Sequence, residues 1–277
     1  MPRLRPAPSA AAESPALLPK RDLAFAWTLM VLLAALAWVL TAAQARGMGV
    51  GPGTMGMTLP LFLLLWLVMM VAMMFPSVAP VAITWAHAIG RQSSGWRRAV
   101  RTTEFVSGYL LVWTAFGLVA YGLLTLTADV VQEHETAGRW IGAGVFLVAG
   151  LQQLGPLKGV CLRHCRSPMY QLLQYARFRP RLRDLRVGAH HGLYCLGCCW
   201  GLMIVLIPLG VMNVAAMAGV AAVIFLEKLW RHGPWLGRAL GIAFVVLAVL
   251  APFQEWLLPG LGTDGTPMDQ MMSGWTG

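Results

Sequence analysis

The fold class this sequence predicts is an all-α bundle of membrane-spanning helices. Three observations predict it. The 277 residues are 58% hydrophobic and only 12% charged, half the charged fraction of an ordinary soluble domain, and mean hydropathy is +0.65. Apolar runs of about twenty residues recur along the chain, the length needed to cross a bilayer. Strand-like alternation is absent, so the spanning elements are helices, whose backbone polar groups are satisfied internally.

Taken in order, residues 1–22 are rich in Pro and Ala and end in Lys20-Arg21-Asp22; they are expected to be a disordered cytoplasmic tail. The transmembrane domain is expected over 23–258. Its first run, Leu23–Ala43, measures about 31 Å as a helix. The small-residue stretch after it resembles a signal-peptidase site, but the run exceeds a signal h-region and reads as an uncleaved helix. The loop Arg46–Pro60 is broken by glycine and proline and carries Met48, Met55 and Met57. The second run, Leu59–Gly90, would extend about 48 Å, more than a bilayer core, with kinks expected at Pro76 and Pro80. The third run is Phe105–Ala128 and the fourth Trp140–Leu157. A basic cytoplasmic loop over 158–191 follows, with eight Lys and Arg against one acid. The fifth run, Gly192 to about Trp230, is too long for one perpendicular passage, and the last is Leu236–Leu258. Residues 259–277 form a Met- and Gly-rich tail.

Charge sets the expected orientation. With the N-terminus inside and six spans, sixteen Lys and Arg fall inside and five outside: Arg46, Arg139, Lys228, Arg231 and Arg238. Seven spans, made by splitting Gly192–Trp230, would leave only Arg46 and Arg139 outside. Each half would then be short, with no room for a turn, so six is the preferred count. An echo between Trp66–Pro76 and Trp200–Pro208, each with Trp, Met three residues on and then Pro, raises an inverted repeat of three helices per half. The net charge of +10 is absorbed by this loop bias. No nucleic-acid motif accompanies it, and no nucleic-acid partner is expected.

Chemistry concentrates in soft donors. Cys161, His164, Cys165, His190, His191, Cys195, Cys198 and Cys199 fall within 39 positions. Placed on the reducing side of a membrane, these thiols are not expected to form structural disulfides. Cys195 and Cys199 share a helix face, as do Cys161 and Cys165. Converging thiolates suit copper(I), with zinc as the alternative. A cysteine can also be merely a small packing residue; the density of thiols and imidazoles favours metal. Met69, Met70, Met73 and Met74 form two overlapping four-residue pairs, and Met203 lies one turn past Cys199. Thioethers suit copper(I), though methionine also fills cores. Packed together, these helices would line a route from the Met48–Met57 loop, past mid-membrane thioethers, to the thiols. No P-loop or aspartyl-phosphate motif is present, which argues against an ATP-driven pump. No acid sits in the middle of a run, which argues against a proton relay. Glu227-Lys228 reads as a helix-end anchor, His87 and His134 as interfacial side chains.

The segments Trp66–Pro80, Leu157–Pro168, Gly192–Met203, Gly210–Met217 and Glu227-Lys228 together resemble a bacterial family of predicted metal-binding integral membrane proteins, sometimes described as copper chaperones. The resemblance implies metal ligation by Cys161, Cys165, Cys195, Cys198 and Cys199, with the methionines behind them, and implies no enzymatic activity. It does not reach the Met268–Met272 tail. The expected function is therefore copper(I) handling at a bacterial inner membrane, with a metal ion, the lipid bilayer and a metal-donor or acceptor protein as partners. Two alternatives stand beside it: a non-catalytic assembly subunit of a membrane complex, and a thiol oxidoreductase cycling Cys195 and Cys198.

Overall fold

The computed structural model describes residues 20–46, 53–54, 56–90, 93, 95–134, 136–167, 175 and 182–261. Met48, Met55 and the Met268–Met272 tail lie outside them, as do residues 1–19 and the His87 side chain. Among the described residues every regular element is helical. In chain order they are α1 (Lys20–Ala45), α2 (Leu59–Gly90), α3 (Gly95–Glu133), α4 (Ala137–Leu154), α5 (Pro156–Cys165), α6 (Arg183–Ile204), α7 (Leu206–Leu209), α8 (Val214–Leu229) and α9 (Gly233–Leu250). Two short 3-10 turns, Ala251–Phe253 and Glu255–Leu257, follow α9.

The second run is a single helix with the expected bounds, and it continues through both prolines. A proline removes one backbone donor and pushes on the preceding turn, but helix-rich surroundings tolerate it. Nearby hydroxyls bind carbonyls of the same helix: Ser77 Oγ donates to Met74 O (2.9 Å) and Thr84 Oγ1 to Pro80 O (2.6 Å). Five helical stretches are long and apolar enough to cross a membrane: Trp27–Ala45, Leu59–Ala86, Gly95–Val131, Arg183–Leu209 and Gly233–Phe253. A sixth arises if α4 and α5, bent by 62°, count as one. The bend is at Gly155, where Pro156 starts the new helix with the donor-free residue a first turn accepts.

Three sequence expectations are corrected. The third run is longer than Phe105–Ala128, because α3 begins ten residues earlier, at Gly95. The stretch 158–191 is not simply a loop: α5 occupies its start, and α6 begins at Arg183, nine residues before Gly192. The run 192–230 is not one passage. Gly210, at φ +91° (a backbone state that favours glycine), ends the α6–α7 arm, and Asn213 caps α8 by accepting from the Ala216 amide (3.1 Å). The chain turns back there, so Lys228 returns to within 3.1 Å of Cys195. The objection that a split leaves no room for a turn fails because the missing helical length lies upstream, in Arg183–His191. The echoed Trp–Met–Pro segments fall on α2 and α6, and α8 stands outside a division into three and three.

The bundle therefore has two ends. At one, the thiol end, α2 and α8 finish, α4 turns into α5, and α3, α6 and α9 begin. The other end gathers the α1–α2 connection, the α3–α4 connection, Gly210–Asn213 and the segment after α9. Small residues set the helix crossings by letting backbones approach closely. On α3 and α6, a side chain at Gly108 would run into the Leu185 carbonyl, and one at Gly188 into the Phe105 carbonyl. On α4 and α9, Gly150 lies against the Gly241 carbonyl and Val245. Large apolar side chains such as Leu32, Val39, Leu111, Leu126, Ile242 and Val249 point outward.

Candidate metal-handling site

The largest hydrophobic cluster of the bundle gathers the sulfur side chains among aromatic and aliphatic ones. Met69, Met70, Met73 and Met74 of α2, Met203 of α6, and Cys161, Cys195, Cys198 and Cys199 are all buried in it. It also contains Met57, Met212 and Met217, three methionines not singled out from the sequence as core donors. Met217 comes from α8, which only the fold-back brings into contact. Towards the far end, Met69 and Met203 face a small cleft of about 20 Å³, lined also by Trp66, Phe116, Leu124 and Val211. Trp66 lies across Gly117, where a side chain would collide with its ring, and its indole donates to Trp113 O (2.9 Å).

The thiols lie deeper than a helix mouth. Cys195 is twelve residues into α6, about 18 Å along its axis. The ends of α2, α3 and α6 extend past it, and Trp85, Phe105, Tyr175 and Val187 close a second cluster over that end. Two glycines on α6 admit the neighbouring helices. A side chain at Gly197 would come within 2.7 Å of Cys161 Sγ, and one at Gly201 within 2.6 Å of Gln152 Oε1. Gln152 Nε2 donates to Gly197 O (3.0 Å), which fixes the α4–α6 contact and with it the start of α5.

On that platform Cys165 Sγ of α5 stands 4.0 Å from Cys198 Sγ of α6. All five cysteines are free thiols. The Cys198 and Cys199 thiols donate back to Cys195 O, at 3.1 and 2.7 Å. Cys195 Sγ also meets the Tyr109 hydroxyl (3.2 Å) and Lys228 Nζ (3.1 Å). The Cys165–Cys198 pair bridges two helices, and Cys195, Cys198 and Cys199 lie within side-chain hydrogen-bonding reach of one another, so Cys195 and Cys198, the pair expected for redox cycling, also stand together. Among the described residues no group of three or more His, Cys, Asp or Glu side chains is arranged around a common point for a metal ion. A preformed four-ligand zinc cage is accordingly missing there.

The histidines divide. His164 stacks on Tyr194 with ring centroids 3.8 Å apart, His190 meets both edge-on, and His164 Nε2 lies 3.4 Å from the Tyr175 hydroxyl. His191, 2% exposed, is sandwiched by Phe105 and Tyr109, and its Nδ1 has no hydrogen-bond partner among the described residues.

Charge is the part that sequence reading missed. Glu227 and Lys228, adjacent on α8, face different partners. Glu227 accepts from Lys158 Nζ (2.6 Å) and Gln153 Nε2 (3.1 Å), a buried ion pair joining α5 to α8. Lys228 meets Cys195 and donates to Ser77 Oγ (3.2 Å). Arg166, just past α5, donates to Glu227 O (2.8 Å) and reinforces the junction. Further along, Arg101 of α3 pairs with Asp184 of α6 at 2.7 Å. The usable signal was an acid and a base inside an otherwise apolar run; in an unbroken passage they fell on the wrong side of the molecule. Both are buried, so the helix-end anchor reading is replaced by a core role.

Comparison with known proteins returns one family. The family model PpoB2, described as copper chaperone, matches residues 63–251. No curated relative and no solved structure matches the chain. The matched segment spans α2 to the turn after α9 and contains every thiol, the buried ion pair and the four methionines of α2, and the chain belongs to this family of copper chaperones.

Proposed function

We propose that this protein is an integral membrane copper(I) carrier that accepts the ion among thioethers and holds it between thiols before passing it on. The observation that carries the reading is the thiol group itself: Cys165 Sγ of α5 stands 4.0 Å from Cys198 Sγ of α6, and methionines of α2, α6 and α8 are buried in the same hydrophobic cluster as Cys161, Cys195, Cys198 and Cys199. With metal–sulfur bonds of about 2.3 Å, sulfurs 4.0 Å apart subtend about 120° at a shared ion, so Cys165 and Cys198 suit a low-coordinate soft cation. Rotation of the Cys199 or Cys195 thiol, or the His191 imidazole, would supply a third donor. Exchange between two- and three-coordinate states lets an ion move by small steps without ATP.

Membrane placement is supported by the aromatic side chains. Exposed Trp235 starts α9 and exposed Phe253 and Trp256 follow its end. Eighteen residues from Trp235 to Phe253 correspond to about 27 Å of helix, close to the thickness of a hydrocarbon core. Trp96 and Trp230 join the thiol-end belt and Trp140 the other. With α8 folded back, Lys228, Arg231 and Arg238 move to the thiol end, leaving Arg46 and Arg139 opposite. By the positive-inside rule the thiol end faces the cytoplasm of a bacterial inner membrane. The partners are then the bilayer, the metal ion and an acceptor or donor protein at that face.

The test is metal binding by the purified full chain in detergent under anaerobic conditions. We expect about one tightly held copper(I) per chain. The Cys165→Ser/Cys198→Ser variant should lose it by at least about a hundredfold in affinity, as it removes the one pair of thiols that bridges α5 and α6. Wild-type protein with no copper(I) affinity would overturn the reading.

A further inference from the structure

We infer that His164 and His190 form a second, nitrogen-donor site for copper(I), a station one step nearer the thiol end of the bundle than the Cys165–Cys198 pair. This rests on the copper reading and deepens it, by naming the ligands that share the ion with the thiols on its way to or from that end.

The two imidazoles meet across the α5–α6 contact, with ring centroids 5.6 Å apart and planes at 70°. A metal–nitrogen bond of about 2.0 Å puts an ion about 3.2 Å from the centre of an imidazole ring. Rings 5.6 Å apart then subtend about 120° at a shared ion. Histidine χ2 is a broad torsion, so either ring can turn a nitrogen to that ion without backbone movement. Tyr194 stacks on His164 at 3.8 Å and meets His190 edge-on at 5.0 Å, which holds both rings in one aromatic frame. The Tyr175 hydroxyl lies 3.4 Å from His164 Nε2, the kind of contact that orients a ligating imidazole through its other nitrogen. Position in the fold ties this pair to the thiols. His164 directly precedes Cys165 on α5. On α6, His190, Tyr194 and Cys198 recur every four residues and share a face, with His190 about 12 Å before Cys198 along the axis. His190 is half-buried, whereas Cys198 is 1% exposed. Among the described residues no third His, Cys, Asp or Glu joins the pair around a common point. Copper(I) accepts two donors, whereas structural zinc(II) takes four. Imidazole is a less soft donor than thiolate, so the ion is held here less firmly than between Cys165 and Cys198.

The experiment follows the imidazoles directly. The full chain, labelled with nitrogen-15 in its histidine rings, is titrated in detergent with silver(I), a soft cation of the same charge as copper(I), and nitrogen shifts are read by NMR. The His164 and His190 signals should move together as silver(I) is added beyond one equivalent. His164→Phe and His190→Phe assign the two signals, and each keeps a ring beside Tyr194 while removing the nitrogens. Either variant should weaken silver(I) at the remaining histidine by at least about tenfold, because one of two linked donors is gone. Signals that stay in place through excess silver(I) overturn the inference. So does a His190 shift undiminished in folded His164→Phe protein, or a response to zinc(II) with none to silver(I). Any of these alongside tight copper(I) binding leaves the carrier reading intact, whereas wild-type protein that binds no copper(I) removes both.

Discussion

The two ends of the core hold sulfur in opposite electrical surroundings. Around the far cleft, Met69 and Met203 sit among Trp66, Phe116 and aliphatic side chains with no charged residue in the lining. At the thiol end the sulfurs stand near three buried charges, Lys158 on the helix of Cys161 and Cys165, and Glu227 and Lys228 on α8. Softness alone would make both regions copper sites. The difference teaches that an ion among neutral thioethers keeps its full charge in an apolar place, where it is poorly retained. Among thiols, which ionise when they ligate, its charge can be offset. The carrier proposed here would use that asymmetry, with weak entry and firm holding.

The comparison breaks most forcibly at the ion pair. Lys158→Met should destabilise the fold by about 3–5 kcal/mol, because Glu227 would be left buried without its cation. The double variant Lys158→Met/Glu227→Met should recover much of that loss. Denaturation in detergent followed by circular dichroism measures both, and equal stabilities for the single and double variants would show that the pair is not desolvated. A smaller effect is expected at the helix contact beneath the thiols. Gly197→Ala would push on Cys161, at a cost of about 1–3 kcal/mol, and should weaken copper retention by moving α5 away from Cys198. Retention and stability can be read on the same sample, and normal retention would show that α5 does not depend on this contact. The least costly change sharpens the contrast. Met69→Leu/Met203→Leu conserves volume and should shift stability by less than about 1.5 kcal/mol. Copper affinity at equilibrium should stay as it is, while loading of protein in vesicles from the far side slows several-fold. Unchanged loading would remove the thioethers from the route.

Much of this was readable from residue order. Leu59–Gly90 emerged with its bounds because an uninterrupted apolar run leaves no competing structure. The soft-donor clusters were visible because Cys, His and Met are few and crowded. The break at Pro208 and Gly210 was readable as plausible, but the full fold-back was set aside in favour of six spans, because its arithmetic used an apolar boundary at Gly192, whereas helical hydrogen bonding starts at Arg183 among polar residues. Hydropathy marks where the apolar run begins, and α6 starts nine residues before it. That one displacement hid Lys228 and Glu227, since it placed them at the opposite end from Cys195.

Sequence by itself determined the class of the molecule and its donors. Apolar runs of that length must become helices when water is excluded, and thiols and thioethers are soft wherever they lie. Only tertiary structure decided which sulfurs meet across helices, that Cys165 of α5 reaches Cys198 of α6, and that a lysine of α8 stands beside Cys195. Those facts depend on how helices cross, which is set by glycines that allow backbones to touch and by one turn that reverses the chain. Neither leaves a periodic mark in the order of residues.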